Sequence, residues 1–307
     1  MSAARPPRIE RGQTLGIVAP AGPVNAERFR RGLDRLGDVF RLRVADSVTA
    51  PHPAGVPNYL AASDEVRAAE LAQMIADPDV RAILLARGGY GLTRILPKLD
   101  PDALRRDPKP IIGFSDATAL LAWAYAAGVR GIHGPMVVQF ESLADHDIAH
   151  LIDLVTTPRA PGVRPWRLAT HGKGRYRGPL VAGNITMYSL LVGTPWPMPL
   201  RGALAILEEV GERPYELDRY LTQLALTGEL ARIAAVIVGD LTRCLDQADS
   251  EEAALRTILE RLHAAGTPAA VGAPIGHGDR NEAVPFGADS ILDLDAGTLE
   301  ILEPAVD

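Results

Sequence analysis

Ile111-Ile112-Gly113-Phe114-Ser115-Asp116-Ala117-Thr118-Ala119-Leu120 passes without a break from a short apolar strand, Ile111–Phe114, into the helix-like segment Asp116–Ala127. A strand that turns directly into a helix is half of a βαβ unit, and the upstream sequence repeats the plan. Thr14–Ala19 reads as a buried strand closed by Pro20-Ala21-Gly22-Pro23, and Ala26–Leu36 follows with Phe29, Leu33 and Leu36 on one helical stripe. Ser63-Asp64-Glu65-Val66 opens a second helix pattern over Ser63–Ile75. Val80–Ala86 is then a continuous apolar strand, stopped by Arg87-Gly88-Gly89-Tyr90-Gly91. Strands alternating with helices predict an α/β fold whose parallel sheet is covered on both faces, with ligands at the carboxyl ends of its strands.

Downstream the period fails over Thr156–Tyr176, where Pro158, Pro161 and Pro165 interrupt any regular element, and this is the best linker. A division follows: an α/β domain over 1–156, a linker over 157–176 and a second domain over 177–307. Beyond the linker, Gly178–Gly193 and Ala203–Glu208 lead into a helix pattern over Pro214–Leu226. Strand candidates Ile233–Val238 and Ala269–Val271 flank the acidic helix Glu251–Ala265, and Ser290–Leu302 reads as a terminal hairpin.

The length of 307 residues agrees with two domains at ~150 residues each, and a 47% hydrophobic share is ample for their cores. A single cysteine, Cys244, excludes an intramolecular disulfide and a thiolate-rich zinc site. The net charge of −6 argues against a protein built to wrap nucleic acid. No apolar run follows the charged amino terminus before Gly12, and Asp116 breaks the longest apolar stretch, Ile111–Val129. These features predict a cytoplasmic chain with no membrane partner.

A serine between a buried strand and a helix is set on a tight turn, its hydroxyl presented at the sheet edge. Ser115 in that position suits a nucleophile, and the backbone N–H of Asp116 would face a developing oxyanion. The alternative is that Ser115 or Asp116 caps the helix, since both are favoured cap residues. The glycines of Arg87–Gly91 would let backbone N–H groups approach a ligand, or form an ordinary turn. Neither a Gly-Lys-Ser/Thr ending nor Gly-x-Gly-x-x-Gly spacing is present, so this is not a phosphate loop.

A serine nucleophile needs a base, and the base an orienting carboxylate. His277, between Gly276 and Gly278 after a strand candidate, is one choice and His133 is its rival; His52, His146, His150, His171 and His263 have polar or helical settings. Glu208 and Glu209 end the apolar run Ala203–Leu207, where a charge needs a partner unless the strand end is solvated.

With these residues in place, the chain resembles the LD-carboxypeptidase family, serine peptidases that include murein tetrapeptide carboxypeptidases and microcin C immunity peptidases. Seven segments carry the resemblance in order: Gly16–Gly22, Ala86–Gly91, Ile112–Leu120, Gly134–Met136, Gly178–Asn184, Leu207–Glu212 and Gly276–Gly278. It implies a flavodoxin/Rossmann-like parallel-sheet domain bearing the nucleophile and a β-rich carboxyl-terminal domain bearing the base and acid, with the active site at the domain interface. It further implies a triad of Ser115, His277 and Glu208, and an oxyanion hole from Asp116 and the Gly88-Gly89 turn, Gly89 being the donor. The family's usual Glu-Asp pair is Glu208-Glu209 here, and its Gly-Gly-Asn is Ala182-Gly183-Asn184.

The implied activity is hydrolysis of the L-D bond that holds the terminal D-alanine of cytoplasmic murein tetrapeptide, with no metal or organic cofactor and with a homodimer as the expected assembly. Arg87 is the candidate for the substrate carboxylate; Gly88, Tyr90, Trp166 and Asn184 are further candidate substrate contacts. A microcin C immunity-like peptidase acting on peptidyl- or aminoacyl-nucleotides is the alternative, for which Trp166 would stack the base. A non-catalytic ligand-binding module is the alternative of another class. A glutamine amidotransferase-like enzyme is disfavoured, because the turn holds Ser115 and Cys244 lies far from it in sequence.

Overall fold

A computed structural model describes residues 3–245 and 251–307. Among them, the strands in chain order are β1 (Thr14–Val18), β2 (Arg41–Val44), β3 (Val80–Leu85), β4 (Ile111–Gly113), β5 (Ile132–His133), β6 (Gly162–Val163), β7 (Ala169–His171), β8 (Arg175–Asn184), β9 (Leu204–Val210), β10 (Ala235–Thr242), β11 (Ala269–Val271), β12 (Val284–Pro285), β13 (Asp289–Asp293) and β14 (Thr298–Ile301). They form two sheets in two compact units, so the fold is α/β in both halves of the chain.

The first unit runs to Arg159 and takes in Glu282–Pro285 and Ala305–Asp307. Its sheet has the order β12-β5-β4-β3-β1-β2, parallel throughout except for β12, which pairs antiparallel with β5. Read from β2, that is the 2-1-3-4-5 order of flavodoxin-like folds, whose strand order reverses between β1 and β3 and opens a crevice at their carboxyl ends. The central strands are apolar and buried on both faces, as a parallel sheet demands: five of the six β3 residues are buried. Ser63 caps the helix Asp64–Ala76, its side chain accepting the Val66 N–H, and Asn25 caps Ala26–Leu36 through the Arg28 N–H. The helix Thr118–Ala126 is buried from Thr118 through Ala124, which explains why its sequence shows no polar face.

The second unit comprises Ala160–Asn281 and Phe286–Pro304. Its eight-stranded sheet has the order β6-β14-β13-β8-β9-β10-β11-β7. The four middle strands, β8 to β11, are parallel, and antiparallel strands flank them on both sides. The helices Ile185–Leu190, Pro214–Leu226 and Glu251–Ala264 connect the parallel strands.

Three segments differ from the linear reading. Residues 157–176 are not a bare linker: they supply β6 and β7, the two edge strands of the second sheet, and the start of β8. Prolines are tolerated beside such short edge strands, so the loop-like composition concealed them. Val284–Pro285 and the last three residues, placed by sequence in the second domain, belong to the first unit. No helix among the described residues is long and apolar enough to cross a membrane.

Candidate active site

β4 ends at Gly113, and the chain turns through Phe114 into a short 3-10 turn, Ser115–Ala117, that runs on into the helix Thr118–Ala126. Ser115 has φ +62°, and Arg243 is the one other non-glycine residue with positive φ among those described. Left-handed backbone costs an L-residue on the order of 1–2 kcal/mol, a strain that recurs at functional turns. Ser115 is not the cap residue: Phe114 precedes the 3-10 turn and Ala117 precedes the helix, and neither start has a side-chain cap bond. Asp116 does not cap the helix either, because its Oδ2 accepts the N–H of Leu92, where the loop after β3 enters a short helix, at 2.9 Å.

That loop lies at the switch point between β1 and β3. Gly22 N–H donates to Gly88 O at 3.0 Å, joining the loops that follow the two strands. Gly88 packs directly on the serine: a Cβ there would lie 3.2 Å from Ser115 Cβ and 3.2 Å from Met136 Cε. Gly89 has φ +116° and is exposed, so the turn needs glycine at both positions for different reasons. Arg87 is exposed and donates from Nη1 to Pro23 O at 2.7 Å. Tyr90 is exposed too, its ring 6.0 Å from that of Tyr59.

Arg67 braces these loops from beneath and was not legible as a site residue. It is buried on the helix Asp64–Ala76, and its guanidinium donates to Ala62 O at 3.1 Å, Gly91 O at 3.1 Å and Pro20 O. Its one sequence signal is an arginine on the inward stripe with Ala68, Leu71 and Ile75.

In the second unit, Glu208 and Glu209 lie buried near the carboxyl end of β9. Successive residues of a strand face opposite sides of a sheet, so two adjacent acids cannot serve one partner. Glu208 Oε2 lies 2.7 Å from His277 Nδ1. Glu209 instead accepts four hydrogen bonds, from Asn184 Nδ2, the Thr186 N–H and hydroxyl, and the Val210 N–H. Burial and the neighbouring Glu208 charge push the Glu209 carboxyl up to about 7. Burial works against the His277 cation, but the charge and hydrogen bond of Glu208, helped by Glu209 and Asp240, raise its pKa above the ordinary 6.5.

The glycines around His277 are explained by Asp240, near the carboxyl end of β10. A Cβ on Gly278 would overlap Asp240 Oδ2 and come within 2.9 Å of its Cγ; one on Gly276 would lie 2.7 Å from Asp240 Cβ and 3.2 Å from Glu208 Cβ. Asp240 gave the same sequence signal as Glu208, an acid closing an apolar strand, and went unread.

Other candidates fall away. His133 is fully buried on β5, its ring edge-on to Phe114 at 5.9 Å. Asn184 is buried, its Oδ1 accepting the Met187 N–H at 3.3 Å and its Nδ2 donating to Glu209, so its amide builds the sheet end rather than an open ligand contact. Trp166 is 7% exposed and offers no open ring face. Cys244 is buried, and burial pushes its thiol up to about 12, which denies it a thiolate. Among the described residues, no three His, Cys, Asp or Glu side chains are arranged to hold a metal ion.

Comparison with known proteins agrees with these motifs. Residues 15–134 match the LD-carboxypeptidase N-terminal domain and residues 177–292 the LD-carboxypeptidase C-terminal domain. A Streptomyces coelicolor protein named as a carboxypeptidase without a stated substrate is 37% identical over 98% of this chain and 97% of its own. The murein tetrapeptide carboxypeptidase of Pseudomonas aeruginosa is 29% identical over 91% of this chain and 92% of its own. The solved muramoyltetrapeptide carboxypeptidase of Oxalobacter formigenes superposes with a TM-score of 0.80 at 25% identity, covering 95% of this chain and all of that one. The microcin C7 self-immunity protein MccF, solved with aspartyl sulfamoyl adenosine, has a TM-score of 0.89 at 24% identity over 99% of this chain and 100% of its own, a likeness of fold. With both domains matched in order, the chain belongs to the LD-carboxypeptidase family and is a serine-type carboxypeptidase.

Proposed function

We propose that this enzyme removes the terminal D-alanine from murein tetrapeptide in the cytoplasm, with Ser115 as nucleophile, His277 as base and Glu208 as the orienting carboxylate. The observation that carries the reading is the buried Glu208 carboxylate 2.7 Å from His277 Nδ1. That contact fixes the tautomer, leaving Nε2 as the acceptor, and stabilises the imidazolium once it forms.

In this mechanism Nε2 takes the Ser115 proton as Oγ attacks the carbonyl of the L-D bond. The N–H groups of Gly89 and Asp116 bind the oxyanion. The imidazolium then gives its proton to the leaving amine of D-alanine, and water, deprotonated by the same imidazole, releases the acyl group. Arg87, exposed with nitrogens beyond the one held by Pro23 O, receives the substrate's terminal carboxylate.

The substrate assignment is supported by the names of relatives that act on murein peptides. It is also supported by the burial of Trp166, which leaves no face on which a nucleobase would stack. The same reading carries a homodimer, checked by light scattering.

The test is incubation of purified enzyme with murein tetrapeptide. Tripeptide and D-alanine are expected from the wild type and from neither Ser115→Ala nor His277→Ala. Turnover that survives Ser115→Ala overturns the mechanism. Cleavage of aminoacyl-nucleotides alone overturns the substrate but leaves the triad, and ligand binding with no hydrolysis favours a binding module.

A further inference from the structure

Asp116 has two functions available to one residue. Its backbone N–H belongs to the nucleophile turn, and its side chain, 3% exposed, leaves that turn to accept the Leu92 N–H at 2.9 Å. Burial pushes this carboxyl up to about 6, and the Leu92 N–H and the Arg67 guanidinium hold it from rising further. Burying an acid to accept the first N–H of the four-residue helix Leu92–Ile95 is an expensive way to cap it, since a neutral acceptor would satisfy the same buried donor.

The loop that Asp116 grips needs an external hold. Gly89 has φ +116° and Gly91 φ +132°, and a glycine-rich segment of this kind has many alternative conformations to explore. Arg67 holds it from one side through Gly91 O, and Gly22 N–H holds it through Gly88 O. Asp116 supplies the link to the serine turn itself, so the loops after β1, β3 and β4 become one hydrogen-bonded frame within the first unit.

We propose that the Asp116 side chain is a positioning residue, a strut to the Leu92 N–H that sets the spacing between the Gly89 and Asp116 N–H groups so that both reach one oxyanion. The proposal rests on the reading of Ser115 as nucleophile. Its physical basis is that oxyanion donors act over 2.7–3.1 Å, so a small displacement of either removes most of its effect.

Asp116→Ala removes the strut, whereas Asp116→Asn keeps an oxygen that accepts from Leu92. With tetrapeptide as substrate, Asp116→Ala is expected to lower kcat by roughly 10- to 100-fold, less than the loss of a whole donor, with KM nearly unchanged, and Asp116→Asn to stay within a few-fold of wild type. Hydrogen exchange at the Leu92 amide, read on the full chain without substrate, is expected to quicken in Asp116→Ala and not in Asp116→Asn. If alanine prevents folding, Asp116→Ser, whose hydroxyl stops short of Leu92, takes its place with the same expectations. An unchanged Leu92 exchange rate overturns the strut. So does a variant that loses melting temperature but keeps kcat per folded molecule. Should the wild type cleave no peptide, the functional reading fails while the exchange measurement still decides this one.

Discussion

Glu208 Oε2 and His277 Nδ1 stand 2.7 Å apart, with the carboxylate wholly buried and the imidazole 19% exposed. In the proposed mechanism the base must be neutral to accept a proton, and Glu208 raises the pKa of His277 above 6.5. The acid limb of kcat/KM is therefore expected above pH 6.5 in the wild type. Glu208→Gln removes the charge that favours the imidazolium, so the limb moves to lower pH while the maximal rate falls by ~10²–10⁴. A limb that does not move in Glu208→Gln would remove His277 from the role of base.

Glu209→Gln is expected to act on stability. Four donors converge on the Glu209 carboxyl, and a glutamine keeps one oxygen while turning an NH2 group toward the rest. The expected loss is about 1–3 kcal/mol in urea unfolding. The folded pKa of about 7 is above the ordinary 4.5, so this group's contribution is full below about pH 4.5 and is lost as pH rises through 7. Stability of the variant should vary less over that window; equal stability of the two proteins at pH 5 would contradict the account.

Ser115 pays a conformational cost that alanine shares and glycine does not. Ser115→Gly is expected to be more stable than Ser115→Ala by about 1 kcal/mol, with both inactive. Thermal unfolding of the pair decides it, and equal melting temperatures would mean that the turn relaxes once the hydroxyl is gone.

A Cβ on Gly278 would take the volume that the Asp240 carboxylate fills. Gly278→Ala should displace the His277 loop and cost activity at least 10-fold, as a misplaced reacting group does. Asp240→Ala alone removes a carboxylate that raises the His277 pKa, so it lowers the acid limb. In the double variant the overlap is gone, and activity should recover above that of Gly278→Ala. Strictly additive losses would show that the two residues are not coupled.

Much of the helix pattern is legible in the sequence itself. The limits of Ala26–Leu36 and Pro214–Leu226 coincide with the helices found, because each is amphipathic and each begins at a clear start signal, Asn25 or Pro214. Weakly patterned elements were not legible. Arg41–Val44 alternates arginines with apolar residues at the sheet edge, Ile132–His133 is two residues long, and β6 and β7 hide among prolines. Ser115 and His277 stand out in the sequence as candidates through their neighbours, whereas choosing between Glu208 and Glu209 as the partner of His277 needs the face of β9 that each side chain takes. Asp240 and Arg67 were missed because their partners are backbone and side-chain atoms distant in sequence.

The return of Val284–Pro285 and Ala305–Asp307 to the first unit bears on the order of assembly. During synthesis the first sheet waits with β5 as an open edge until residue 285 has left the ribosome, and by then nearly all of the second unit has been made. The half that carries Ser115 is thus the first to be begun, yet its sheet is closed only after most of the second unit exists.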